Sequence, residues 1–239
     1  MNHRNWRGLG LAFAIIATTA AAQNEDEGFS GQVAFGYLAT SGNSDSENMN
    51  FNFGGEYIGE VWQHSLDGLA VKASSSDVTT AEAYGLTWQS RRELADEHNY
   101  IFGLAAWNKD KFSGYDQQLR EVVGYGRRFV DNERHRFDGE AGVGLSQADL
   151  RTGMSEDESI VRLSADYEWQ ISETSKFNQT FAIEDGSNNT YTEWVSSLSA
   201  DVWTDFAVVL SYTVKRNSDV PVGTVKKDTF TAVSLEYSF

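Results

Sequence analysis

Hydrophobic and polar residues alternate along most of this chain with a period of two. Between residues 48 and 57, Met49, Phe51 and Phe53 fall on one face of an extended segment, and asparagine and glutamate fall on the other. Successive side chains of a β-strand point to opposite sides, so the pattern predicts a strand with one apolar and one polar face. The pattern returns about twelve times between residue 28 and the C-terminus. It is clearest in segments 48–57, 119–129, 159–171, 177–184 and 206–215.

The connections between these segments alternate in length. The short ones follow Tyr57, Arg92, Val130, Ile171 and Val202. The longer ones are rich in Gly, Ser, Asn and Asp, and they cover 40–48, 73–79, 109–116, 149–158, 185–189 and 216–227. Outer-membrane barrels have this asymmetry, with short periplasmic turns and longer outer loops. The sequence therefore predicts an all-β chain that folds as a single antiparallel transmembrane β-barrel of about 12 strands.

The last segment of the chain carries a signal of its own. Val233, Leu235, Tyr237 and Phe239 lie on one face, and the chain ends on the aromatic Phe239. An aromatic residue at this depth suits the interfacial girdle of a membrane barrel. We expect these residues to face outer-membrane lipid and to form the terminal assembly signal that the barrel-assembly machinery reads. A soluble periplasmic β-barrel that acts as a binding module is the alternative, with its apolar face turned inward.

The first residues have the features of a secretory signal peptide. Arg4 and Arg7 precede a short apolar run, and three alanines ending at Ala22 supply a cleavage site. The run is too short for a membrane-spanning helix, which needs about 20 residues. We therefore expect a signal peptide at 1–22 and a barrel at 23–239, exported to the outer membrane of a Gram-negative bacterium.

Composition narrows the classes of function. The chain has 19 basic and 35 acidic residues and a net charge of −16, which becomes −18 when Arg4 and Arg7 leave with the signal peptide. Nucleic acid is not an expected partner, because a phosphate-binding surface needs clustered Lys and Arg. The chain has no cysteine, which excludes disulfides, a thiolate zinc site and a cysteine nucleophile.

Several short motifs follow one another along the chain. They are Gly-Asn-Ser at 42–44, Ala-Glu-Ala-Tyr at 81–84, the aromatic and charged stretch 107–116, and the glycine-containing strands 123–129 and 140–144. This ordered set resembles the DUF481 family, whose members are also described as salt-induced, YdiY-like outer-membrane proteins. The resemblance covers essentially the whole mature chain. It implies an outer-membrane location and a link to salt or osmotic stress, but no reaction and no catalytic residue.

A search for catalytic residues yields few candidates. The mature chain has only His64, His98 and His135. His64 adjoins Ser65, but neighbours in a strand face opposite ways and cannot form a dyad. His98 and His135 fall in predicted turns, where solvated side chains are expected. We predict no catalytic residue, no cofactor and no metal site, and an outer-membrane lipid-modifying enzyme is the alternative.

Two Gly-x-Gly pieces, at 124–126 and 142–144, could suggest a phosphate-binding loop. Neither precedes a predicted helix, which such a loop requires. Glycine on the polar face of paired strands more simply makes room for large neighbours.

The polar faces carry charges of both signs. If 131–134 is the turn between two paired strands, Arg128 comes opposite Asp138 and Gly126 comes opposite Glu140. The next hairpin would then place Glu140 near Asp166 and Gly144 near Arg162. The predicted lumen charge network consists of Arg120, Arg128, Arg136, Asp138, Glu140, Arg162, Asp166 and Glu168.

Such a network has two interpretations. Paired charges can fill the interior and support the wall, or they can line a narrow pore that selects small solutes or ions. The expected strand number lies between those of side-chain-filled and water-filled barrels. The predicted function is a non-enzymatic outer-membrane β-barrel protein, either a narrow channel or an envelope component linked to salt or osmotic stress.

Overall fold

The computed structural model describes residues 27–40, 46–75, 78–96, 98–110, 115–150, 153–220 and 226–239. In these ranges, twelve strands form one closed sheet, in which each strand pairs antiparallel with its neighbours and β1 pairs with β12. The predicted all-β antiparallel barrel of about 12 strands is confirmed. The strands are β1 (Gly28–Thr40), β2 (Ser46–Ile58), β3 (Trp62–Ser75), β4 (Val78–Glu93), β5 (Asn99–Asp110), β6 (Tyr115–Asp131), β7 (His135–Leu150), β8 (Ser155–Ser172), β9 (Ser175–Gly186), β10 (Thr190–Trp203), β11 (Phe206–Asn217) and β12 (Lys227–Ser238).

The predicted signal peptide at 1–22 lies outside the described residues. Among the residues that are described, no helix is long and apolar enough to cross a membrane.

Burial alternates along the strands, and the large apolar side chains are the exposed ones. In β11, Phe206, Val208 and Leu210 are exposed, whereas the intervening Ala207 and Val209 are buried. A soluble barrel would show the reverse, because it packs its large apolar residues inside. The outer surface of this barrel is therefore apolar. The interior is formed by small, polar and charged side chains together with one apolar cluster that includes Tyr100, Phe102, Leu104, Val122 and Ile160.

Aromatic rings concentrate at the end of the barrel that carries the short connections. His64 stacks with Trp62 and Trp88, with ring centroids 5.9 and 6.4 Å away, and Phe206 contacts Tyr237 with centroids 5.0 Å apart. Further contacts in this aromatic girdle join Phe129 to Phe137, His135 to Trp169, and Trp203 to Phe206. Such a ring of aromatic side chains is typical of the interface of a membrane barrel.

The predicted alternation in connection length is present only in part. Four of the five predicted short connections are short, but the one after Glu93 spans 94–98, and strands extend into several predicted longer loops, so that only 76–77 and 187–189 remain of two of them. β3 ends at Ser75 and β4 begins at Val78, inside the predicted loop 73–79. Ser75 and Val78 are paired, and a register shift follows at Ser74. Serine and threonine have no clear apolar face here, so the hydrophobic pattern hides the strand ends.

The hairpin of β7 and β8 is also longer than predicted, and its register differs by two residues. Leu150 donates its N–H to the Met154 carbonyl at 2.8 Å, and Gly153 has a φ of 82°. A left-handed backbone of this kind is readily adopted by glycine, and it permits a tight reversal within the predicted loop 149–158.

The tighter reversal changes which residues face each other. Arg162 lies opposite Gly142, not Gly144, and Glu140 lies opposite Ser164, not Asp166. The pairing is thus offset by two residues from the expected one, although Glu140 still interacts electrostatically with Asp166, as predicted. The register of the preceding hairpin is confirmed, with Arg128 opposite Asp138 and Gly126 opposite Glu140.

The interior glycines of β6 and β7 lie against large or close neighbours, as predicted, and those of β6 lie under aromatic rings. A Cβ added at Gly124 would lie 2.6 Å from the Phe102 ring and 2.7 Å from the Gly142 Cα. A Cβ added at Gly126 would collide with the Tyr100 ring. These glycines therefore let two large rings of β5 pack flat against the neighbouring strands.

We expect Gly124→Ala to lower the free energy of unfolding by about 1–3 kcal/mol, the usual cost of overpacking. Gly103→Ala is the matched control, because nothing lies within 4 Å of a Cβ at Gly103. The measurement is denaturant unfolding in detergent followed by tryptophan fluorescence. Equal midpoints for the two variants would contradict the packing role of Gly124.

The last residue closes the barrel. Phe239 donates its N–H to the Gly31 carbonyl at 2.9 Å and accepts the Gly31 N–H at 2.8 Å. Its ring lies 6.5 Å from that of Phe29 and 6.0 Å from that of Tyr237. Phe239 thus contributes both backbone pairing at the seam and an aromatic side chain to the girdle.

The terminal assembly signal stays a prediction, and two variants of Phe239 test it. Phe239→Ala keeps the seam hydrogen bonds but removes the ring, and deletion of Phe239 removes both. If the ring is the signal, both variants should lower the amount of barrel in the outer membrane several-fold, while purified Phe239→Ala should still refold in detergent. Phe29→Ala, which removes the neighbouring ring, is the control. Unchanged membrane levels for Phe239→Ala would exclude the ring as the signal.

Candidate functional site: the charged lumen

The charged side chains of the interior come mainly from one side of the barrel, strands β4 to β9. On these strands the outward positions are apolar, so alternation turns the intervening residues into the lumen. In β6, for example, exposed Val123 and Tyr125 alternate with buried Val122 and Arg128. Neighbouring strands bring these inward residues into register, and the charged ones lie beside the apolar cluster of β5, β6 and β8. We call this side of the lumen the charged wall.

Glu140 is the most highly connected carboxylate of this wall. It is buried and accepts hydrogen bonds from Gln89 at 2.9 Å, Tyr100 at 3.1 Å and Ser164 at 3.2 Å. The Arg91 guanidinium lies 2.9 Å from it. A buried carboxylate is tolerated only when its charge and lone pairs are matched in this way. Glu140 thus ties together β4, β5, β7 and β8.

Asp138 forms the neighbouring centre, one inward position closer to the short connections. Three guanidinium groups surround it, those of Arg91 and Arg128 at 3.6 Å and that of Arg136 at 3.3 Å. Asp138 is only 4% exposed. The positive charges of these three arginines, together with the carboxylates of Asp138 and Glu140, hold together the part of the charged wall that is nearest to the short connections.

A second cluster is centred on Glu184 of β9. Arg162 approaches it at 2.5 Å and Arg120 at 2.7 Å. Arg120 belongs to β6, which is not adjacent to β9 in the sheet, so its side chain reaches across the interior. Its guanidinium also lies over the Tyr191 ring, 5.5 Å from the centroid. This contact bridges opposite parts of the wall.

The sequence identified most members of the network but not all their partners. Asp166 accepts a hydrogen bond from Thr180 at 2.9 Å, and Glu168 pairs with Lys176 at 3.5 Å. Arg91 and Glu184, which are central to the two clusters, were not predicted. Both continue polar faces that alternation reveals, but Arg91 pairs with the non-adjacent strand β7, and Glu184 pairs with Arg120 of the non-adjacent strand β6 as well as with its neighbour Arg162.

The opposite side of the lumen is different in character. It is formed by β1 to β3 and β10 to β12, and its most deeply buried polar residues are small and uncharged, while the less buried Asp67, Glu193, Lys215 and Glu236 of these strands line the cavity described below. Asn50 donates to Ser234 at 3.2 Å, whereas the side chains of Asn52, Ser211 and Thr213 make no hydrogen bond within the described part of the chain. We call the surface formed by these five uncharged residues the neutral wall.

A cavity of about 100 Å³ lies between the charged wall and the neutral wall. Asn52, Asp67, Arg120, Glu193 and Lys215 are among the residues that line it. Carboxylate, ammonium, guanidinium and amide groups therefore meet in one space. The lumen is filled unevenly, with dense ion pairs on one side and a polar opening on the other.

The three histidines lie at the aromatic end of the barrel. His64 stacks with aromatic rings on the outer surface, and His98 lies in a turn, as expected. The prediction for His135 was wrong. The turn takes up only residues 132–134, so His135 begins β7, where its Nδ1 lies 2.9 Å from the Tyr167 hydroxyl. In the described ranges, no group of three or more His, Asp or Glu residues could hold a metal ion.

We expect Glu140→Gln to lower the free energy of unfolding by about 3–5 kcal/mol, since it leaves Arg91 buried with less compensating charge. Glu133→Gln, in an exposed turn, is the control and should change it by less than about 0.5 kcal/mol. The double variant Arg91→Met with Glu140→Gln should lose less than the sum of the two single variants. Denaturant unfolding in detergent measures all four proteins. Additive effects would contradict the coupling between these residues.

Comparison with known proteins agrees with this architecture. The translocator domain of the autotransporter NalP from Neisseria meningitidis superposes with a TM-score of 0.52 at 11% identity, over 92% of this chain and 91% of that one. The NanC porin gives a TM-score of 0.49 at 10% identity, over 88% of this chain and 98% of that one. At 11% identity, the likeness to the NalP translocator domain concerns the fold alone.

Comparison of sequences gives more specific information than the likeness in fold. The family described as "Protein of unknown function, DUF481" matches residues 33–239. The uncharacterized protein YdiY of Escherichia coli (strain K12) is 31% identical over 227 residues, which is 95% of this chain and 88% of YdiY. Match length and identity together confirm the resemblance found in the motifs, and the chain belongs to the DUF481 family.

Proposed function

We propose that this protein is a narrow channel of the bacterial outer membrane that conducts small ions and favours cations. The observation that carries the proposal is the uneven filling of the lumen. Ion pairs occupy the charged wall, and a polar cavity of about 100 Å³ stays beside the neutral wall. A pore of this kind selects solutes by the charges that line its narrow part.

The charge around the cavity favours cations. Asp67, Glu193 and Glu236 line it together with Lys215 and Arg120. Arg120 shares the Glu184 carboxylate with Arg162, at 2.7 and 2.5 Å. Around the cavity the three carboxylates still exceed the two positive charges, and the whole chain, at −16, has the same sign. A negative lumen raises the local concentration of cations.

The proposal includes the location and the partners of the protein. The predicted signal peptide at 1–22 would direct export, and the barrel-assembly machinery would insert the barrel. Exposed apolar residues such as Val143, Val161 and Leu163 would then contact outer-membrane lipid. By its family resemblance, the channel would serve the envelope under salt or osmotic stress. We propose a non-enzymatic role, because none of His64, His98 and His135 is paired with a nucleophile that faces the lumen.

A second candidate is a structural envelope component whose lumen is sealed by side chains. The contact from Arg120 to Glu184 favours it, because this pair crosses the interior from β6 to β9. The two candidates differ in one measurable property, the passage of ions.

Planar-bilayer recordings at pH 8 with a KCl gradient test the channel. We expect stepwise openings with a reversal potential that indicates K⁺ preference. A unit charge about 10 Å from an ion in water contributes about 0.4 kcal/mol, so Glu236→Gln should reduce the K⁺ preference about two-fold. Glu133→Gln, in an exposed turn, should leave it unchanged. A silent bilayer, with a folded barrel shown by its gel shift on heating, would overturn the channel and support the sealed lumen.

A further inference from the structure

We infer that the cavity beside Lys215 binds a small zwitterion that carries one ammonium and one carboxylate group. The inference rests on the proposed channel and names the class of solute that its lumen recognises. Three features of the cavity support it: an unpartnered amide, a loosely paired lysine, and a volume that suits one small molecule.

The unpartnered amide belongs to Asn52 on the neutral wall. Asn52 is 6% exposed, and neither its Oδ1 nor its Nδ2 makes a hydrogen bond within the described residues. Its flanking residues Phe51 and Phe53 are exposed on the outer surface, so the Asn52 side chain points into the lumen, where it lines the cavity. Buried amides normally have partners. An occupant with both a donor and an acceptor would satisfy this one.

The lysine is Lys215 of β11. Its Nζ lies 3.8 Å from the Glu193 carboxylate, which is within the range of an ion pair but too far for a hydrogen bond. Glu193 instead accepts a hydrogen bond from Tyr191. The ammonium of Lys215 therefore has donors available for a carboxylate. Glu193 and Glu236, which also line the cavity, are suitably charged for the ammonium of the same solute.

Other classes of ligand fit less well. Among the described residues, no group of acidic or histidine side chains is close enough to hold a metal ion. The cavity volume of about 100 Å³ is well above the roughly 10–15 Å³ that a single water molecule needs, so the cavity has room for a solute of a few heavy atoms. A neutral solute can hydrogen-bond to Lys215 and Glu193, but it balances neither charge, and hydrogen bonds between two ionised groups are the stronger ones. A solute with both charges matches all the groups.

Saturation-transfer NMR on the purified barrel in detergent micelles tests this site. The probes are glycine and its neutral isomer glycolamide, which has the same atoms but no charges. We expect clear transfer to the glycine protons and at least several-fold weaker transfer to glycolamide. Equal transfer to both, or transfer to neither, would overturn the inference.

Three variants localise the signal. Lys215→Met and Asn52→Ala should each reduce glycine transfer several-fold, because each removes one group that contacts the solute. Lys72→Met is the control, since Lys72 is an exposed lysine on the outer face of β3. The gel shift on heating verifies that each variant is folded, and if Lys215→Met does not fold, Asn52→Ala decides the question. Undiminished transfer in a folded variant would overturn the assignment of the site.

The NMR result is independent of conduction. A conducting barrel that does not bind glycine would overturn the zwitterion site and leave the channel standing. A silent barrel that binds glycine through Lys215 and Asn52 would overturn the channel and support the site.

Discussion

Closure of the sheet is the constraint on which the rest of this structure depends. Lipid offers no hydrogen bonds, so each backbone group that crosses a membrane must be paired within the protein. The twelve strands satisfy this need only because β1 pairs with β12, and Phe239 completes that seam with two hydrogen bonds to Gly31. Once the sheet is closed, each strand has one face toward the outer surface of the barrel and one toward the lumen. The alternation in the sequence is the direct expression of that geometry.

The closed sheet also determines the chemistry of the interior. Inward positions are removed from bulk water, so charges placed there need close partners. Glu140, Asp138 and Glu184 have them, supplied by arginines from several strands. The neutral wall avoids the same problem with small amide and hydroxyl side chains. The contrast between the two walls, and not the strand number alone, leaves room for a solute.

Local features of the fold could be predicted from the sequence, whereas long-range ones could not. Alternation identified the strands, and the short turn after Asp131 gave the register of β6 with β7. The register of β7 with β8 was missed because it depends on the φ of Gly153, which residue type alone does not determine. The contact of Arg120 with Glu184 was missed because it depends on the curvature of the barrel and the reach of a side chain across it. Sequence spacing carries no information on either quantity.

The aromatic rings that lie over glycines have a consequence for the register in which β5 and β6 pair. Tyr100 of β5 packs over Gly126 of β6, and Phe102 of β5 packs over Gly124 of β6. A slip of the strands by two residues would keep every side chain on its original face, so the burial of apolar surface would not disfavour the slipped register. The same slip would drive a ring against a side chain, which makes the misaligned pairing sterically incompatible. Steric fit inside the barrel thus excludes a register error that the alternation of apolar and polar faces leaves open.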